Sequence, residues 1–265
     1  MNVPDSSAQN QVLMERSIIK VKGLTARFGE STILQNVSFE VEKGEIVIIA
    51  GGSGCGKSTL VRHMIGIHQP AAGSVVIAGV DVVNASSRDL SYFRRNIGVL
   101  FQSGALLGSY TILENVMLPL QEFSGLSLEN VEQVARLKLS LVGLSGYGNH
   151  LPSEVSGGML KRAGLARAMV LDPKVLFFDE PSAGLDPITS AELDRLLLSI
   201  NQGLGTTMVV ITHELPSIFN LAHRVIMLDK EPKGIIAIGS PVELRDKSKD
   251  PRVINFFRRE PLGQE

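Results

Sequence analysis

The chain has 265 residues, 44% of them hydrophobic, with 26 basic side chains against 27 acidic ones and a single cysteine. That is ample apolar material for one large core or two small ones, and a net charge of −1 argues against a nucleic-acid binder, which usually carries a basic excess. One cysteine excludes a disulfide framework and fits a reducing compartment. No uninterrupted apolar run approaches ~18 residues, so the chain is not expected to span a bilayer, and the polar start shows no signal peptide. Any membrane role therefore needs another subunit.

In chain order, residues 1–16 look like a disordered lead. From Ser17 to Glu42 apolar and polar residues alternate around Ile18 to Val21 and Val37 to Glu42, broken by Gly23 and Gly29. Such alternation predicts half-buried antiparallel strands. Phe28, just before Gly29, can stack on an adenine ring or pack into the core.

Glu45 to Ala50 is a short apolar run suited to a buried strand. It leads into Gly51-Gly52-Ser53-Gly54-Cys55-Gly56-Lys57-Ser58-Thr59, which fits G-x-x-x-x-G-K-[ST]. Glycines let successive backbone N–H groups turn inward around phosphate oxygens, and Lys57 adds a mobile positive charge for the terminal phosphates. Ser58 supplies a hydroxyl for Mg²⁺. Residues 59–65 contain no Gly or Pro and predict a helix whose positive end faces the anion. Cys55 lies inside this loop. A thiol reagent blocks nucleotide binding if the thiol is accessible, and does not if the side chain is turned away.

Gly73 to Gly79 and Asn96 to Phe101 read as further short strands. The second ends at Gln102, and open α/β sheets place ligands at the carboxyl ends of their strands. Gln102 is therefore a candidate to touch the metal or the attacking water, against the plainer reading of a hydrogen-bonded loop amide. From Tyr110 to Leu144 the spacing turns helical: Ile112, Val116 and Leu120, then Val131, Val134, Leu137, Leu141 and Val142. Thr111 and Ser127 are expected N-caps, and only Thr111, with Glu114, completes a capping box. These helices form a lobe inserted over residues 103–171.

Ser156-Gly157-Gly158 again places small residues before a helix, here one expected to run to about Leu171. A hydroxyl and free N–H groups at a helix start make a second anion site. Lys174 to Phe178 is a buried strand carrying Asp179 and Glu180 to its end, aimed differently by the strand alternation. Asp179 can hold Mg²⁺ opposite Ser58, and Glu180 can orient and deprotonate a water for attack on a γ-phosphate. Ser182 to Asp186 is a small-residue loop entering a helix from about Ile188 to Ile200. Thr207 to Thr212 is one more buried strand, with His213 at its end, where an imidazole can donate to the γ-phosphate. Arg224 to Asp229 and Gly234 to Ile238 finish the sheet.

With all of these residues in order, the chain resembles the nucleotide-binding subunits of ABC transporters from about residue 17 to 244. The resemblance implies an α/β fold. Its core is a P-loop NTPase (RecA-like) unit with an antiparallel β subdomain and an inserted α-helical subdomain; residues 245–265 form a C-terminal extension. It also implies roles: Gly51 to Thr59 as Walker A, Gln102 as the Q-loop, Ser156-Gly157-Gly158 as the signature, Asp179-Glu180 as the end of Walker B. Ser182 to Asp186 becomes the D-loop, His213 the switch histidine, and Phe28 the adenine-stacking position. In the family two subunits pair head to tail, each signature closing over ATP held by the other's phosphate loop, which explains a second anion site. The family commonly has Leu-Ser-Gly-Gly-Gln where this chain has Val155 and Met159 around Ser-Gly-Gly. Loss of that Gln amide leaves the hydroxyl and N–H groups in place, so an active ATPase is expected.

Ser-Gly-Gly-Met with Lys161-Arg162, the run Phe101 to Leu106, and the tail Asp250 to Phe257 are similar to the ATPases of Mla/MCE lipid-transport systems. What this implies is a homodimer on the cytoplasmic face of a bacterial inner membrane. Its implied partners are a permease dimer, an MCE-domain lipid-binding protein and, as is common in the Mla branch, a small regulatory subunit, with a C-terminal extension reaching across the dimer. Leu106, Leu107 and Tyr110 are candidates to receive a permease helix or to pack within the lobe. An importer of amino acids or ions is the alternative transporter. A kinase, a GTPase or a soluble ABC ATPase would want other motifs, an acceptor site, or paired domains in one chain.

Overall fold

The computed structural model describes residues 16–259. Except for Arg16, the lead expected over 1–16 lies outside the described residues, as do residues 260–265 of the tail.

Two sheets organise the chain. The first contains β1 (Ser17–Phe28), β2 (Ser31–Glu42), β4 (Ala72–Ile77) and β5 (Val80–Asp81) in the order β2-β1-β4-β5, all antiparallel. Alternate residues Ile19, Val21, Leu34, Val37, Phe39 and Val41 are buried on one face, as a half-solvated antiparallel sheet requires. Gly23 does not break β1 as the sequence suggests. It adopts a φ of 60° and the pairing slips between Val21 and Leu24, so the glycine makes a bulge within one long strand.

The second sheet contains β3 (Ile46–Gly51), β6 (Ile97–Leu100), β7 (Val175–Asp179), β8 (Thr207–Ile211), β9 (Arg224–Asp229) and β10 (Gly234–Gly239). The order is β10-β9-β3-β8-β7-β6, parallel from β9 to β6, with β10 antiparallel at the edge. Because both faces are covered, β3 and β8 are buried throughout. Val47, Ile49, Phe177 and Val209 join the core shared with the antiparallel sheet. Ile48, Phe178, Met208 and Val210 join the core on the opposite face, shared with most of the helices.

The helices are α1 (Lys57–Met64), α2 (Ser87–Asn96), α3 (Ile112–Phe123), α4 (Leu128–Leu141), α5 (Gly157–Ala168), α6 (Pro187–Leu204), α7 (Leu215–Leu221), α8 (Pro241–Lys247) and α9 (Pro251–Arg258). In the lobe of α3, α4 and α5, Thr111 and Glu114 make the reciprocal capping box, whereas Ser127 only accepts from the N–H of Asn130. Asn115, fully buried, donates to the carbonyls of Leu107, Tyr110 and Thr111 and accepts from the N–H of Leu107. It thereby pins the segment entering the lobe. Leu106 packs on the core, while Leu107 and Tyr110 are exposed.

The tail is more closely integrated than an extension. Val253 is fully buried, the Phe257 ring meets Phe219 at 5.8 Å, and Arg252 pairs with Asp250 at 2.6 Å and Asp229 at 3.4 Å. The boundary expected after Leu244 falls inside α8, and α9 docks on its own chain.

Candidate functional site

The phosphate loop joins the end of β3 to the start of α1. Gly51 has a φ of 141°, and a Cβ there would strike the Leu228 carbonyl and lie 2.8 Å from Cys55 Sγ. Gly56, the N-cap, has a φ of 103°, and its Cβ would lie 2.7 Å from Leu34 Cδ2. Only glycine fits either place. Because Gly56 has no side chain to cap α1, the first N–H groups of the helix stay open toward the loop, the arrangement that binds phosphate. Gly52, Ser53 and Gly54 are exposed and Thr59 is half-buried. Lys57 Nζ donates to the carbonyls of Gly51 at 2.9 Å and Gly52 at 3.0 Å, which holds its ammonium over the loop.

Cys55 answers the question left by the sequence. Its side chain is 1% exposed, turned beneath the loop, and burial raises its pKa. A cysteine there contributes its packing, and its thiol is closed off from solvent.

The strand order β3-β8-β7 brings the remaining chemistry to the same end of the sheet. Ser58 Oγ donates to Asp179 Oδ1 at 3.2 Å across that gap. Glu180 follows with a φ of 52°, its N–H donating to the Ile211 carbonyl at 2.9 Å. This left-handed conformation, costly for a residue with a side chain, re-aims Glu180 away from the strand's regular alternation. One carboxylate oxygen, Oε1, lies 2.9 Å from Nδ1 of His213 at the end of β8, while Oε2 is buried without a hydrogen-bond partner. A carboxylate oriented by one oxygen and unsatisfied at the other is built to accept a proton. His213 is largely exposed, so its ring can also meet a ligand.

Phe28 is 49% exposed and meets His68 edge-on at 5.7 Å. His68 in turn lies against His63, whose Nδ1 is 2.8 Å from the Thr59 carbonyl. The aromatic platform is therefore tied to the phosphate-loop helix, a link that residue spacing did not suggest.

Gln102 lies past β6, exposed at the same end of the sheet, its carbonyl accepting from Lys161 Nζ. Ser156 and Gly157 are exposed, and Ser156 Oγ accepts from the N–H of Met159 at 3.3 Å, capping α5. Gly158 faces Thr189, whose Cγ2 would lie 2.7 Å from a Cβ there. Asp186 caps α6, accepting from the N–H groups of Ile188 and Thr189 and, at 2.5 Å, from the Thr189 hydroxyl. Those Thr189 bonds hold its carboxyl below the usual range. Thus Lys57, Ser58, Asp179, Glu180 and His213 converge, whereas the signature and Asp186 form a second patch through Thr189. Among the described residues no hydrogen bond joins the two. Lys161 was not singled out as a site residue from sequence; a lysine in a helix reads as solvated unless its burial is known.

A cavity of about 710 Å³ lined by Lys43, Lys174, Leu176, Ile200 and Thr207 opens at the amino-terminal ends of β7 and β8, opposite the phosphate loop, and is not the nucleotide site.

The ABC transporter family model matches residues 34–183. The chain is 39% identical over 245 residues to a probable ribonucleotide transport ATP-binding protein of Mycobacterium leprae, covering 92% of this chain and 70% of the relative. It is 38% identical over 251 residues to the intermembrane phospholipid transport system ATP-binding protein MlaF of Haemophilus influenzae, covering 94% of each. It is 41% identical over 225 residues to the methionine import ATP-binding protein of Brucella abortus, covering 85% of this chain and 60% of the relative. Among solved structures, the dimeric post-hydrolysis state of the ATP-binding cassette MJ0796 with ADP and Pi superposes with a TM-score of 0.76 at 31% identity, covering 84% of this chain and 98% of that one. The chain belongs to the ABC transporter family, as an ATP-binding subunit that hydrolyses ATP.

Proposed function

We propose that this chain drives phospholipid movement between the two membranes of a bacterial envelope as the ATPase of an Mla/MCE-type complex. The observation that carries this reading is the end-to-end correspondence with MlaF, 94% of each chain, whereas the relatives named for ribonucleotide and methionine transport extend well beyond it. No described helix is long and apolar enough to cross a membrane. The membrane path then belongs to a permease dimer, with the ATPase on the cytoplasmic face of the inner membrane, an MCE-domain protein beyond it, and room for a small regulatory subunit.

Two copies complete one site. The open N–H groups of α1 and the exposed Ser156-Gly157 of α5 are separate phosphate-binding surfaces, and pairing head to tail sets one from each copy on a single ATP. Mg²⁺ fits the Ser58 and Asp179 oxygens, a hard pair 3.2 Å apart. Among the described residues no cluster of three or more His, Cys, Asp or Glu gathers, so the ion would take its other ligands from phosphate, water and the Gln102 amide. Bound there, it would neutralise charge developing on the β- and γ-phosphates. Glu180 Oε2 takes a proton from the attacking water, His213 holds the other oxygen, and Lys57 follows the phosphates.

Purifying the tagged chain from its own membranes tests the assignment. Recovery with a permease and an MCE-domain protein carrying phospholipid supports it. Recovery with a periplasmic solute-binding protein replaces it with import of amino acids or ions.

A further inference from the structure

Lys161 sits in the second turn of α5, five residues past Ser156, and is 6% exposed. An ammonium taken out of water costs several kcal/mol unless it finds strong partners. Burial pulls the Lys161 pKa down, and the Glu180 carboxylate opposes that shift. The Lys161 Nζ donates to the Gln102 carbonyl.

The same helix holds the loop a second time. Arg167 donates to the carbonyls of Ala105 at 2.8 Å and Gly104 at 2.9 Å, at a turn where both residues have positive φ, 49° and 74°. Close approach depends on Gly164, whose Cβ would lie 2.6 Å from Leu100 Cδ1 and 3.2 Å from the Gly104 oxygen. Gly98 is equally required, since a Cβ there would strike the Ala168 carbonyl. Two cations and two glycines therefore lock the helix that begins at the signature onto the loop that carries Gln102. Arg167 already closes the turn with two hydrogen bonds. Lys161, the more deeply buried of the two cations, grips Gln102 itself, which asks for a reason beyond packing.

We infer that Lys161 is a positioning residue for ATP hydrolysis: by gripping the Gln102 main chain, it holds the Gln102 amide in register with the helix that begins at the signature. It touches no substrate. Its effect acts through Gln102, so it belongs to turnover and not to the capture of ATP.

The test compares Lys161→Met and Lys161→Arg with the unmodified protein in steady-state ATPase assays, equilibrium ATP binding and thermal unfolding. Lys161→Met removes a buried charge but leaves the Gln102 carbonyl without its donor, a cost to stability that thermal unfolding reads separately from turnover. Its kcat should fall about tenfold or more, the loss of a charged hydrogen bond, with KM and ATP affinity within about twofold. Lys161→Arg should recover most of that loss, because it restores charge and donor. A kcat for Lys161→Met close to the unmodified value, a fall matched by an equal loss of ATP affinity, or Lys161→Arg as slow as Lys161→Met would overturn the inference. Should Lys161→Met fail to fold, Lys161→Gln, a donor without charge, carries the same comparison. Turnover of the unmodified protein, measured alongside, tests the ATPase activity itself.

Discussion

The phosphate loop and the signature use one local recipe, small residues ahead of a helix, and reach different ends. At α1 the cap position is Gly56, which offers no side chain, so the helix N–H groups remain available. Behind it lies a fully buried parallel strand, with Lys57 above and Asp179 reached through Ser58. At α5 the cap is Ser156, whose hydroxyl already serves the helix through Met159, on a surface open to solvent. On the proposed reading, one region is therefore a furnished anion site within a single chain, and the other a face that acquires its purpose against a second copy. An anion-binding helix start is thus decided less by its glycines than by what stands behind and opposite them.

The largest expected effect tests whether the furnished region holds the chemistry. Glu180→Gln removes the proton acceptor while keeping shape, so turnover should fall by roughly 10²–10⁴-fold, the scale of a general base. ATP binding should persist, and gel filtration with ATP should show a trapped dimer. Undiminished phosphate release would take Glu180 out of that role, and with it the argument from the unpartnered Oε2.

Next in size is Lys57→Ala. Its ammonium now rests on two loop carbonyls at 2.9 and 3.0 Å, a position from which it can turn to phosphate. A charged hydrogen bond contributes about 1.5–3 kcal/mol, so ATP affinity measured by calorimetry should drop at least about tenfold. Affinity left intact would mean that the loop amides alone bind the phosphates.

Ser156→Ala sharpens the contrast from the other side. Losing the cap should cost about 1 kcal/mol of stability in a denaturant titration, while ATP binding by the isolated monomer stays unchanged. ATPase activity of the assembled protein should fall by more than that stability loss explains. If the isolated monomer instead loses ATP as Lys57→Ala does, the two regions are one site within a single chain, and the division drawn between them is wrong.

The furnished region was the more legible of the two in sequence, for a physical reason. Gly51, Gly56 and Lys57 stand at a fixed local spacing, even though the atoms that exclude a Cβ at the two glycines come from Leu228 and Leu34, and a buried parallel strand such as Leu176 to Phe178 announces itself as an unbroken apolar run. The caps at Thr111 and Ser127 were equally local and fell where expected. Harder to read was whatever depends on a partner far along the chain. The α2 helix escaped notice because its apolar stripe is short, Phe93 buried with Leu90 part-buried beside it among charged residues, although Ser86 and Asp89 cap it. Lys161 and Arg167 read as solvated charge until the fold puts Gln102, Gly104 and Ala105 against them. The aromatic path from Phe28 through His68 to His63 joins two elements that no spacing connects. Met159, in place of the family's glutamine, lies against the core with its side chain part-buried, a setting that suits the thioether.

The smallest expected effect is at Cys55, and it probes the underside of the furnished region. The nucleophile in alkylation is the thiolate, and burial raises this thiol's pKa while the fold leaves it 1% exposed. A raised pKa lowers the thiolate fraction at neutral pH, and a closed loop denies the reagent an approach. Iodoacetamide should therefore label the denatured chain and spare the native one, leaving ATP affinity within about twofold of the untreated value. Since a Cβ at Gly51 would lie 2.8 Å from this sulfur, any adduct on Cys55 must displace the loop. Rapid native labelling with loss of ATP binding would thus mean that the loop opens in solution, and that the phosphate site is assembled by the nucleotide instead of awaiting it.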